Sequence, residues 1–188
     1  CAGKSVTSGA HNVFLACGAG MDTTEGQGAI YIGRNAGANN IGGDYSIILG
    51  QSAGNTGTAI CDNIIIGREA GYAGSFANAK YNVIMGMQAG CDVTSGCYNT
   101  LLGYQAGTNL TSGDYNIALG QNAMGSGTVT GNCNIAVGKD AAKDLTSGKL
   151  NAIFGDTASE NITTGCYNSV FGYAANKTGV LTGNSNVF

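Results

Sequence analysis

The chain has 188 residues, 33 of them glycine, with no proline or tryptophan, 10% charged residues and a net charge of −3. Its eight Lys and Arg are scattered, which argues against a nucleic-acid track, and no apolar run reaches the roughly 20 residues of a membrane-spanning helix. Hydrophobic residues make up 43% in short, evenly spread runs, unlike a disordered chain, and the glycines lack collagen's every-third register.

Those runs belong to one repeated phrase. Asn12 to Gly20 is the first copy, and others start at residues 29, 46, 63, 82, 99, 116, 134, 151, 168 and 186. Seven of the ten intervals are 17 residues, two are 18 and one is 19. A fixed short period signifies a solenoid. Positions count from the first residue of each copy, with position 0 just before it.

In chain order, positions 2 to 4, apolar almost everywhere, predict short strands at 13–15, 30–32, 47–49, 64–66, 83–85, 100–102, 117–119, 135–137, 152–154 and 169–171. Glycine at this density disfavours helix. Alternation sends position 3 to one face and positions 2 and 4 to the other. Position 4 is always large: Leu15, Ile32, Leu49, Ile66, Met85, Leu102, Leu119, Val137, Phe154 and Phe171. That column is the expected interior. Position 3 is mostly apolar as well, so the second face needs a cover, and another copy of the chain is the simplest one.

After each strand comes Gly at position 5, replaced once by Ala16. Position 8 is alanine in all ten complete copies: Ala19, Ala36, Ala53, Ala70, Ala89, Ala106, Ala123, Ala141, Ala158 and Ala175. Such a column implies a crowded place that accepts a methyl and nothing larger. Gly recurs at position 9 and three residues before the next Asn, often within Thr-Ser-Gly, and marks the reversals of each coil. The longer intervals put their extra residues in this connection. Asn holds position 1 in nine copies, with Ala29 and Ser46 as exceptions, and is expected to form a hydrogen-bonded ladder. Tyr45, Tyr81, Tyr98, Tyr115 and Tyr167 share position 0 and predict a partial aromatic column.

Chemical motifs give way to the register. Gly50-Gln-Ser-Ala-Gly54 matches a nucleophile elbow, but Ser52 sits at variable position 7, equivalent to Asn35, Glu69, Gln88 and Gln105. His11, the only histidine, replaces Tyr at position 0 and reads as a surface substitution. The seven Cys (1, 17, 61, 91, 97, 133 and 166) lack paired zinc spacing. Cys61 and Cys97 share a column two copies apart, roughly 10 Å and too far for a disulfide, while bridges between chains stay open. Acidic residues form no calcium pattern, and the Gly-rich stretches lack a P-loop lysine. No catalytic residue, metal or cofactor is expected. Asn109, Asn161 and Asn176 head glycosylation triplets that an Asn- and Thr-rich chain also yields by chance.

The phrases Asn116-Ile-Ala-Leu-Gly-Gln-Asn-Ala123 and Asn134-Ile-Ala-Val-Gly-Lys-Asp-Ala141 resemble the head repeats of trimeric autotransporter adhesins. With Ala106-Gly107 leading to Thr111-Ser-Gly-Asp-Tyr-Asn116, they also resemble shaft repeats of phage tail-fibre proteins. The resemblance spans the chain and implies a homotrimeric stalk or head, although the adhesin repeats are shorter. The expectation is an all-β protein: one parallel β-solenoid or β-roll of about eleven 17-residue repeats over 1–188, in a homotrimeric or end-to-end extracellular fibre on a virion or cell surface. It begins and ends within a copy, so a segment of a longer fibre is expected. Its expected role is structural and non-enzymatic, extending a binding tip. The alternatives are an adhesin head that binds a host glycan or protein through position 6 (Arg34, Arg68, Tyr104, Lys139, Tyr173) and, further off, an ice-binding threonine array.

Overall fold

The computed structural model describes residues 1–177 and 181–188. Among the described residues it contains ten three-residue strands. These are β1 (Val13–Leu15), β2 (Ile30–Ile32), β3 (Ile47–Leu49), β4 (Ile64–Ile66), β5 (Val83–Met85), β6 (Thr100–Leu102), β7 (Ile117–Leu119), β8 (Ile135–Val137), β9 (Ala152–Phe154) and β10 (Ser169–Phe171). All lie parallel in one sheet, in sequence order. The protein is thus an all-β parallel solenoid, one strand per coil. Among the described residues these are the ten strands expected, and the copy that starts at residue 186 contributes a bridge between Ser169 and Val187. At about 4.8 Å per strand, the sheet is about 43 Å tall.

Hydrogen bonds run along the axis. Ile30 donates its N–H to the Ser46 carbonyl of the next coil at 3.0 Å, and Gly33 to the Leu15 carbonyl of the previous one at 2.9 Å. After each strand the chain turns between positions 5 and 8, where Ala36 N–H reaches the Gly33 carbonyl at 3.1 Å. Register survives the longer intervals: Ile65 pairs with Ile84 across 19 residues, and Ala118 with Ala136 across 18. The extra residues are therefore absorbed in the connection, as expected, and there Phe76 and Val129 are buried.

The interior is the reverse of the sequence expectation. Position 3 points inward, and every member from Tyr31 to Val170 is fully buried. Position 4 points outward: Leu15 is 60% exposed, Met85 39% and Phe171 57%, while Ile32, Leu49, Ile66, Leu102, Leu119, Val137 and Phe154 are half-buried. Strand alternation holds, but both parities are apolar, so size was the wrong discriminator. Space inside the coil decides. Position 9 approaches position 3: a Cβ on Gly20 would lie 2.8 Å from the Phe14 ring, and one on Gly107 2.7 Å from Leu101. Where position 3 shrinks to Ala118 and Ala136, position 9 becomes Met124 and Ala142, both buried. This exchange of volume keeps the core filled.

The alanine column lies where expected. Nine members are fully buried and Ala175 is partly buried. A third wall completes the core: Val93, Leu110, Leu145 and Ile162, each directly before a Thr of the turn. Tyr31 is buried, and its hydroxyl accepts a hydrogen bond from Asn40 Nδ2. Burial is the main cause that pushes its phenol well above the ordinary range.

Candidate functional site

The expected asparagine ladder forms at the corner before each strand. Asn63, Asn82, Asn99, Asn116, Asn134, Asn151 and Asn168 are at most 1% exposed. Asn99 is representative. Its Nδ2 donates to Asn82 Oδ1 at 3.0 Å and to the Gly113 carbonyl at 2.9 Å, and its Oδ1 accepts the Asn116 N–H at 2.8 Å. Ser46 substitutes chemically: its Oγ accepts the Asn63 N–H at 3.1 Å and donates to the Ile60 carbonyl at 3.0 Å. The ladder thus ties buried backbone groups of adjacent coils together.

Outside lies the sheet's outer face. Positions 2 and 4 give two columns without a single charged residue, apolar except for Thr100 and Ser169 at position 2. Val13 is 50% exposed and Ile64 36%, and the remaining position 2 residues are half-buried. Column 6 flanks one side, where Arg34, Arg68, Tyr104, Lys139 and Tyr173 are all exposed. Column 0 flanks the other. There Tyr81 stacks on Tyr98 at 5.0 Å between ring centroids, and Tyr98 on Tyr115 at 4.8 Å. Tyr45 and Tyr167 share the column but stack on no other ring among the described residues. Desolvation, then the neighbouring phenols of Tyr115 and Tyr81, raises the Tyr98 phenol above its ordinary value.

The motif candidates fall into repeat positions. Ser52 has a left-handed φ of 56°, like Asn35 (57°), Glu69 (58°), Gln88 (58°) and Gln105 (56°), so it is a turn residue. Position 7 makes its own ladder: Gln105 Nε2 donates to Gln88 Oε1, and Gln88 Nε2 to Glu69 Oε2, each at 2.9 Å. His11, at φ 61°, is exposed and shares the backbone geometry of the tyrosines. All seven cysteines are free thiols, none fully buried. Desolvation is the main cause that raises the Cys91 thiol. Among the described residues there is no pocket, no cluster of three potential metal ligands, and no helix long and apolar enough to cross a membrane.

Two sequon amides hold adjacent coils together. Asn109 Nδ2 donates to the Ser126 carbonyl at 2.9 Å, and Asn161 Nδ2 to the Lys177 carbonyl at 2.8 Å. Thr178 of the third sequon lies outside the described residues. The threonines form a partial column, but their hydroxyls point along it: Thr94 Oγ1 donates to the Thr111 carbonyl at 2.9 Å, and Thr146 Oγ1 to Thr163 at 3.1 Å. No protein-family model, curated protein or solved structure matches the chain.

Proposed function

We propose that the chain is a structural, non-enzymatic segment of an extracellular fibre. In this reading its coils supply length, and its outer face binds it side by side to further copies in a homotrimer. One observation carries this: both outward columns of the ten-strand sheet are uncharged, and all their residues but Thr100 and Ser169 are apolar. A contiguous uncharged strip of a few hundred Å² is often an interaction face. Positions 2 to 4 span about 10 Å across the sheet, on the order of 400 Å², and the flanking columns 0 and 6 extend this face toward the roughly 800 Å² per partner of a stable interface. The number three comes from the resemblance of the repeats to trimeric adhesin heads. Exposed column 6 favours an adhesin head as the second reading, since its Arg, Lys and Tyr would reach a host glycan or protein. Ice binding is disfavoured, because the threonine hydroxyl protons are already donated to backbone carbonyls.

The test places two lysines on the outer face, Ile117→Lys with Leu119→Lys, and measures mass by light scattering. The reading expects loss of assembly with the β-rich circular dichroism spectrum retained. Unchanged assembly would overturn it.

A further inference from the structure

Nine tyrosines lie on this chain, and three are placed as chemical neighbours. Tyr81, Tyr98 and Tyr115 leave the same corner of consecutive coils with left-handed φ angles of 61°, 60° and 56°. Axial bonds fix this corner: Tyr81 N–H to the Asp62 carbonyl, Tyr98 to Lys80 and Tyr115 to Cys97, each at 3.0 Å. The 98–115 rings are parallel within 2° and the 81–98 rings within 22°. All three are about half exposed, at 51%, 47% and 56%. A small oxidant therefore reaches each phenol while its partner waits at stacking distance. Among the described residues no other tyrosine stacks on a tyrosine.

We propose that the Tyr81–Tyr98–Tyr115 column is a site of oxidative dityrosine cross-linking that staples adjacent coils of one chain. The oxidant is hydrogen peroxide, delivered through a haem peroxidase. Two phenols each give up one electron and the O–H proton. The two radicals join through ring carbons ortho to oxygen, forming one C–C bond. The hydrogen on each joined carbon then moves to oxygen and restores both phenols. Two tyrosines and one peroxide yield one dityrosine and two waters. The rings stand at an outer corner, so they can tilt from the stack to close the bond. Such a staple resists axial unzipping, which the coil-to-coil hydrogen bonds oppose only weakly one at a time.

The experiment uses the thiol-alkylated chain at low concentration, because free cysteines scavenge phenoxyl radicals. Peroxidase and peroxide are added, dityrosine fluorescence is followed, and products are cleaved before Asp92 and Asp114, which separates the three tyrosines; fragmentation then assigns the link within each peptide, because Tyr72 and Tyr104 travel with Tyr81 and Tyr98. The expected product has single-chain mass less two hydrogens and joins the Tyr98 peptide to that of Tyr115 or Tyr81. Tyr98→Phe should cut its yield at least fivefold, since the remaining pair lies two coils apart, about 10 Å. Tyr45→Phe should leave the yield unchanged. The proposal is overturned if Tyr98→Phe and Tyr45→Phe give equal yields, if the link maps to other tyrosines, or if only double-mass product or none forms.

Discussion

Truncating Asn99 to alanine removes three side-chain hydrogen bonds from a residue that is 1% exposed. Asn82 Oδ1 keeps the Asn99 backbone N–H at 2.8 Å, so it is not orphaned. The Asn116 N–H and the Gly113 carbonyl lose their Asn99 partner in a site closed to water. Each orphaned group costs about 1–3 kcal/mol, which puts Asn99→Ala at about 2–6 kcal/mol. Serine should behave differently. The natural Ser46 serves the equivalent N–H and a carbonyl with one hydroxyl, at 3.1 and 3.0 Å. Asn99→Ser should therefore cost only about 1 kcal/mol. Urea unfolding would give the global difference. Native-state hydrogen exchange at the Asn116 amide would report the local loss, which matters because a solenoid can open coil by coil. If the two variants agree within about 0.5 kcal/mol, the ladder is not acting through buried backbone groups and the reasoning fails.

Three further substitutions test the packing. Ala106→Leu forces three extra carbons into a fully buried column and should lower stability by about 1–3 kcal/mol, with an unchanged thermal midpoint as the contrary result. Gly103→Ala sets a Cβ 2.7 Å from the Gly120 carbonyl oxygen at φ +135°, so thermal melts should show a larger loss than for Gly42→Ala, whose added Cβ meets nothing within 4 Å. Ile84→Ala should cost about 2–4 kcal/mol by denaturant titration of the dissociated chain and Met85→Ala under about 1, an order that a position 4 interior would reverse.

Much of the fold was legible because each coil is short and its errors do not accumulate. Strand positions, parallel register, the alanine column and the asparagine ladder all follow from aligned columns. The facing of the strands did not, since Ile64, Ile65 and Ile66 are equally apolar and periodicity alone cannot orient them. A signal existed: Met124 replaces Gly where Ala118 replaces a large residue, which marks positions 3 and 9 as sharing one space. The third wall was missed because insertions shift it, so that Phe76 and Val129 do its work two residues later than Val93 or Leu110 would. Its clue was an apolar residue directly before the turn threonine, as in Leu110-Thr111 and Ile162-Thr163. The outer face was legible only as a surplus of apolar residues; the structure locates it at positions 2 and 4.

The most direct test is the mass of the undisturbed chain in dilute solution, by native mass spectrometry and light scattering together. An apolar outer face covered by neighbouring copies predicts a multiple of the 18.8 kDa chain mass, stable on dilution, and the resemblance to trimeric adhesin heads makes that multiple three. A chain that stays at 18.8 kDa at every concentration, with its outer face in water, would contradict the account.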